Sequence, residues 1–328
     1  MVFPAQTIPA TFSYSEFPSF LKSVVGEVFL MRLNIMGKYE VKLMASRFCV
    51  RVLSGMTSLV PLRFQWRLSP VVDRLASTAF LTPDGPMVVR RGGLLWEVNP
   101  HDEICRALLW SGSYESRDMD VVKGCLHEGA VVLDVGANIG IYSIMASKFL
   151  RGNCSIYALE PNPPVYQTLC RNIDRNKVAG IVPCKIALGD KKGVEILATC
   201  SSNTGVSYVQ PEGSRDGGTV IEVTTLDDFV AEKQIKRIDF MKVDVEGYEA
   251  MFLKGGLKTL KAMNAVIMIE ICPHNLKRMN MTPEGIVALL RECGYTKLTC
   301  LTRRGMIPFL PDCFSDGSAI RNVFCYKS

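Results

Sequence analysis

The chain has 328 residues, 48% of them apolar and 21% charged, which is enough to bury a large core and too apolar for general disorder. Its 38 Lys and Arg outnumber 32 Asp and Glu, yet the first 75 residues hold nine of the basic and four of the acidic side chains, so the rest is close to balanced. That distribution excludes a uniformly basic protein that coats nucleic acid.

Residues 1–80 read as a basic N-terminal extension. Pro4, Pro9 and Pro18 keep its start irregular, and a helical pattern runs over about 22–62. Lys42, Arg47 and Arg51 fall on that helix, as a solvated face or, in a second reading, as a peripheral contact with anionic lipid. The uncharged runs 1–15 and 196–211 contain Pro, Ser, Asn and Gly and fall short of the roughly 20 apolar residues that a membrane helix needs. No basic start followed by an apolar block marks a signal peptide. The twelve cysteines include no Cys-x-x-Cys pair, and His101, His127 and His274 stand apart from them. Neither structural zinc nor a redox pair fits, and reduced, packed thiols in a cytoplasmic protein are expected.

Residues 81–328 read as one domain. A hairpin is expected from strands over 87–90 and 94–98 around Arg91-Gly92-Gly93. Then strands over 131–135, 155–159 and 181–188 alternate with helices over 139–150 and 163–176. A helix over 225–233 opens on Thr225 and an Asp pair. Strands over 238–243 and 265–271 flank a helix over 249–260, and a helix over 282–293 precedes two or three weaker strands between Tyr295 and Tyr326. Strands and helices at this spacing predict an α/β fold, a doubly wound and mostly parallel sheet.

The densest chemical signal is the run Val131–Gly140, Val-Val-Leu-Asp-Val-Gly-Ala-Asn-Ile-Gly. An apolar strand ends near Asp134, and small residues turn the chain into a helix. Ligands of open α/β sheets bind outside the carboxyl ends of strands, and Gly136 and Gly140 would let one approach the backbone. The spacing is Gly-x-x-x-Gly, so the dinucleotide fingerprint and the phosphate loop are both absent. Glu160 ends the next strand, where an acid suits the ribose hydroxyls; alone it would be an ordinary strand-end carboxylate. Asp244 ends the fourth strand, with Glu246 and Glu249 just after it, and Glu270 lies near the end of the fifth with His274 beyond. Carboxylates on neighbouring strand ends suit orienting a hydroxyl, taking its proton or holding a divalent ion. The plainer alternatives are an exposed helix position for Glu249 and a satisfied loop histidine for His274.

Taken in order, these motifs resemble the FkbM-type methyltransferases. They are Asp134-Val-Gly-Ala-Asn-Ile-Gly-Ile-Tyr-Ser143, Glu160-Pro161, Ala187-Leu-Gly-Asp190, Thr225-Leu-Asp-Asp-Phe229 and Lys242-Val-Asp-Val-Glu-Gly-Tyr-Glu249. Upstream, Asp102-Glu103-Ile104 and Gly112-Ser-Tyr-Glu115 fit the lead-in, so the likeness spans about 95–295. The resemblance implies a class I, Rossmann-like fold that uses S-adenosyl-L-methionine to methylate a hydroxyl on a sugar, glycan, polyketide or similar small molecule. Carried over by position, Asp134, Gly136, Asn138 and Gly140 would surround the methionine part, with Glu115 approaching from the lead-in. Glu160 would bind the ribose, and the Ala187–Asp190 turn, through Leu188 and Asp190, would border the adenine. Asp244, Glu246 and Glu270 would face the acceptor, with Asp244 as the base or orienting group and Glu270 and His274 in support. The reaction needs no metal, and none is assigned, although Asp244, Glu246, Glu249 and Glu270 could supply oxygen ligands. A non-catalytic binding module on the same fold is the main alternative, and a nicotinamide oxidoreductase suffers from the missing fingerprint.

Overall fold

The computed structural model describes residues 85–327, apart from 112–113, 201–202, 212–216, 303–304, 312–313 and 315–319. The helix expected over 22–62 and its basic face lie outside the described residues. The chain enters through strands β1 (Met87–Arg91) and β2 (Leu94–Val98) and helices α1 (Glu103–Ser111) and α2 (Ser116–Cys125). One wing follows: β3 (Ala130–Val135), α3 (Ile141–Phe149), β4 (Cys154–Leu159), α4 (Pro163–Asn176) and β5 (Ile181–Cys184). β6 (Ala187–Leu188), β7 (Gly193–Cys200), β8 (Asn203–Val209) and β9 (Thr219–Thr224) make a separate small sheet. The other wing comprises α5 (Leu226–Glu232), β10 (Phe240–Val243), α6 (Glu249–Gly255), α7 (Leu257–Ala262), β11 (Val266–Ile271) and α8 (Pro273–Leu276). Helix α9 (Pro283–Glu292) and strands β12 (Tyr295–Thr302), β13 (Gly305–Pro308) and β14 (Arg321–Lys327) complete the chain.

The central sheet has eight strands in the order β13-β12-β14-β11-β10-β3-β4-β5. The five from β11 to β5 are parallel, while β14 runs antiparallel between β11 and β12. From β3 the chain winds outward through β4 to β5, and from β10 it winds the opposite way to β11. The order therefore reverses between β3 and β10, and a crevice opens at their carboxyl ends. Strand alternation divides the core between the two faces. Leu133, Met241, Val243, Ile267 and Ile269 pack with Phe252 and Leu253 of α6 on one face. Val132, Phe240 and Met268 pack with Tyr142 and Ala146 of α3 on the other. Each such side chain, fully buried, contributes about 1.5–3 kcal/mol.

Local signals act as read at several helix starts. The Thr225 hydroxyl accepts the Asp228 N–H at 3.0 Å, the Thr282 hydroxyl accepts the Gly285 N–H at 3.3 Å, and α4 opens on a proline. The entry hairpin is tighter than expected. Arg91 pairs with Leu94, which leaves a two-residue turn in which Gly92 (φ 56°) and Gly93 (φ 73°) both take the left-handed backbone that such turns demand. Two asparagines of α4 then bind the free edge of β2. Asn172 and Asn176 accept the Glu97 and Leu95 N–H groups at 2.7 Å each, and Asn176 returns a donor to the Leu95 carbonyl.

Three expectations are corrected. The strand expected over 181–188 ends at Cys184, because β5 is the sheet edge and the chain leaves it to pair Ala187 and Leu188 with β9. Between 188 and 225, where no strand is expected, β7, β8 and β9 form: Leu197, Val209, Ile221 and Val223 face inward, while Ile196 and Val220 face out. The helix expected over 249–260 breaks at Gly256. A Cβ at Gly255 would lie 1.9 Å from the Gly189 carbonyl oxygen, so α6 ends where it meets the turn after β6. Helices α1 and α2 went unread in the sequence; Asp102 caps the first, its carboxylate accepting the Cys105 N–H at 2.8 Å. Among the described residues no helix is long and apolar enough to cross a membrane.

Candidate active site

At the end of β3, Asp134 is buried, and its Oδ2 accepts the Ser143 N–H at 3.1 Å and the Ser143 hydroxyl at 2.6 Å. Its Oδ1 is buried without a hydrogen-bond partner. Burial pushes this carboxyl up, against the pull of Lys242 and Ser143. Four residues on, Asn138 has a positive φ of 50°, which turns its N–H onto Glu160 Oε2 at 2.9 Å. Glu160 Oε1 accepts the Asn162 N–H, also at 2.9 Å, so each carboxylate oxygen is anchored to backbone. Burial pushes Glu160 up to about 7, with those two N–H groups working against it.

A cavity opens beside these residues. Glu160, Asn138 and Gly136 line one side, Leu188, Leu197 and Val209 another, and Asp244 and Glu246 a third. The apolar part of this wall comes from the small sheet, and the Asn162 amide donates to Ser207 Oγ at 2.6 Å, tying that sheet to the tip of β4.

The glycines act differently from the expectation. A Cβ on Gly136 (φ 80°) would sit 1.8 Å from the Asp244 carbonyl oxygen, so this glycine lets the loops after β3 and β10 touch at the switch point. Gly136 borders the cavity as well. Gly140 (φ 92°) is outside the cavity wall, and its Cβ would strike the Leu169 side chain at 2.6 Å; packing of α3 on α4 explains it without a ligand. Asp190 is exposed and does not line the cavity: Gly189 is buried against α6 and the chain reaches the surface at the next residue. The role expected for Asp190 beside the adenine is therefore withdrawn, while Leu188 stands in the wall.

Across the switch point the chemistry changes. The Lys242 ammonium, on a strand whose four residues are all buried, lies 2.9 Å from Asp244 Oδ2. Glu246 takes a positive φ of 53° and is held there. Asn275 donates to its carboxylate at 2.7 Å, and Arg278 donates to its carbonyl at 3.1 Å while stacking 4.1 Å over the Tyr208 ring. Burial first, then Asp244 and Glu249, pushes Glu246 up to about 7. Glu270 is buried one strand away; burial and the charges of Asp244, Glu246 and Glu115 push it up to about 10, so it is neutral at physiological pH.

Glu115 sits at the start of α2 with φ 46° and accepts from the Tyr142 hydroxyl at 2.7 Å and the Asn322 amide at 2.9 Å. It lies behind the cavity wall and faces the acceptor-side acids instead of the cleft between β3 and β4. Glu249 is buried, contrary to the exposed alternative, and its carboxylate accepts the Gly247 N–H at 3.1 Å and the Val245 N–H at 3.3 Å, bracing the turn after β10. His274 is exposed on the short helix α8 and does not line the cavity, so its supporting role is withdrawn. The next residue, Asn275, is the one that turns inward to Glu246. Among the described residues no three His, Cys, Asp or Glu side chains are grouped to hold a metal ion.

Several residues of the site carry no assigned role in the sequence. Lys242 lies within a motif, and its period-two relation to Asp244 on a buried strand puts both on one face. Tyr142 likewise lies inside the first motif. Asn275, Arg278, Ser207 and Asn322 carry no local signal, since each arrives from a distant part of the chain.

An open parallel sheet that reverses between β3 and β10, the antiparallel β14 inserted beside β11, and one cavity bordered by Glu160 and Asp244 from either side of the reversal define the Rossmann-like fold of class I methyltransferases. The Methyltransferase FkbM domain family matches residues 134–297, half of the chain, and the chain belongs to that family. It is similar to the hexuronic acid methyltransferase AglP of Haloferax volcanii, 29% identical over 191 residues that cover 57% of this chain and 73% of that protein. It is also similar to the 31-O-demethyl-FK506 methyltransferase FkbM of Streptomyces tacrolimicus, 31% identical over 200 residues, 52% of this chain and 74% of that one. Among solved structures, the FkbM methyltransferase of Methylobacillus flagellatus KT aligns with 19% identity and a TM-score of 0.38, over 62% of this chain and 45% of that chain.

Proposed function

We propose that the protein is an S-adenosyl-L-methionine-dependent O-methyltransferase acting on a hydroxyl of a sugar, glycan, polyketide or related small molecule. The observation that carries this reading is that Glu160 and Asp244, on opposite sides of the switch point, border the same cavity. The residues present fit the cofactor. The Glu160 oxygens, each with one backbone donor, retain a lone pair for the ribose hydroxyls, while Asp134 stands behind the cavity wall and braces Ser143 at the start of α3. Leu188, Leu197 and Val209 supply an apolar wall for the base. When bound, the cofactor supplies a methyl group already activated on a sulfonium.

The protein then has to place an acceptor oxygen in line and deal with its proton. Asp244 borders the cavity and takes the orienting or proton-accepting role. Glu270 does not border the cavity and acts on this side through its charge interaction with Asp244. Oxygen as the acceptor atom and a sugar or polyketide as the substrate class draw support from the two relatives, whose names specify a hexuronic acid and a demethylated FK506. The test is a panel of sugars, uronic acids, glycans and polyketides incubated with the cofactor and read by mass spectrometry for the gain of one methylene unit, alongside calorimetric titration with the cofactor. Binding with a methylated product supports the reading. Absence of cofactor binding would instead favour a binding module that has kept the fold.

A further inference from the structure

Lys242 is the buried cation of the acceptor side, and its charge is shared unequally among the acids around it. It stands in β10 with Asp134 of β3 and Met268 of β11 directly beside it in register, and with Phe240 two residues before it on the same face. Lys242 is 5% exposed and surrounded by acids. On its own strand Asp244 Oδ2 lies at 2.9 Å; from β3 comes Asp134; from the turn before α2 comes Glu115. The Tyr142 ring of α3 offers its face 5.0 Å away, and the hydroxyl of that ring is bonded to Glu115. Beyond this circle Glu246 and Glu270 crowd the same carboxylate, Asp244.

The ammonium takes Oδ2 of Asp244, and Oδ1 has no donor among the described residues. We propose that Lys242 is a positioning residue that fixes one oxygen of Asp244, so that the other faces the acceptor hydroxyl. This rests on the methyltransferase reading for what the carboxylate does, but the coupling of Lys242 to Asp244 is measurable without any acceptor.

The experiment uses the full chain, labelled with 13C and 15N and saturated with S-adenosyl-L-homocysteine as probe. The Asp244 carboxyl resonance is identified by its loss in Asp244→Asn and titrated by NMR in the wild type, Lys242→Met and Lys242→Arg. In Lys242→Met its midpoint rises by one pH unit or more, in Lys242→Arg it stays within about half a unit, and the dissociation constant for the probe changes less than threefold in both. An unmoved midpoint in Lys242→Met overturns the proposal. So does a tenfold loss of probe affinity with no change at Asp244, since that would assign the ammonium to Asp134. If Lys242→Met does not fold, Asp244→Asn decides from the other side: the 15N signal of the Lys242 ammonium shifts and its protons exchange at least tenfold faster, whereas an unchanged signal overturns the coupling. Failure of the wild type to bind the probe at all counts against the proposed function and not against this pairing.

Discussion

The two wings of the central sheet hold their acids in opposite ways. On the β3–β4 side, Asp134 and Glu160 are anchored by the N–H groups of Ser143, Asn138 and Asn162, donors fixed by the backbone. On the β10–β11 side, Asp244, Glu246 and Glu270 are crowded against one another around a single ammonium, with side-chain amides and a guanidinium at the margin. Backbone donors fix a carboxylate in place and suit recognition of a ligand that is the same in every turnover. Crowded carboxylates respond to one another's charge, and that suits a step in which a proton moves.

Asp244→Asn tests the contrast most severely. It lowers turnover about 10²–10⁴-fold while cofactor affinity stays within about threefold; equal losses in both, measured by methyl transfer and calorimetry, would erase the distinction between the wings. Gly136→Ala attacks the seam between them. Its Cβ would lie 1.8 Å from the Asp244 carbonyl oxygen at a φ of 80°, so the variant loses about 3 kcal/mol in a urea unfolding titration. Glu160→Gln belongs to the anchored wing: it weakens cofactor binding about 10–100-fold, and saturating cofactor restores most of the turnover.

Glu270→Gln sharpens the comparison through pH. The folded protein raises Glu270 from 4.5 to about 10, so its favourable, protonated contribution is complete below 4.5 and is lost as pH climbs towards 10. The glutamine variant escapes that loss, and its stability relative to the wild type grows with pH, by at most about 1.4 kcal/mol per unit. Denaturation curves across that range check the sign, and parallel slopes would remove Glu270 from the crowded wing. The smallest effect is at His274: exposed on α8, its replacement by Ala changes stability by no more than about 0.5 kcal/mol and leaves turnover within twofold.

Most strands and helices of the main sheet were legible because they are short apolar runs, with helix starts marked at Thr225, Thr282 and Pro163. The small sheet was not, since β8 is largely Asn, Thr, Gly and Ser and the Ile196-Leu-Ala198 run of β7 breaks strand alternation. β9, which pairs with both β6 and β7, arrives only after β8 in the chain. Strand-end acids were legible too, because Asp134, Glu160, Asp244 and Glu270 each close or follow an apolar run. What those acids touch was not. Glu115 is expected near the cofactor from its place in the lead-in, yet Asn322, 207 residues away, is what holds it beside the acceptor-side acids.

By itself, then, the sequence determined the wound sheet, its family and the four carboxylates at strand ends. Those depend on periodicity, capping and residue order, which are local properties of the chain. Only the tertiary structure decided which glycine serves a backbone contact, that Asn275 and not His274 turns inward, and that one buried ammonium stands among the acids. Each of those outcomes depends on groups brought together across the sheet, where burial and mutual charge, and not neighbourhood in sequence, set what a side chain can do.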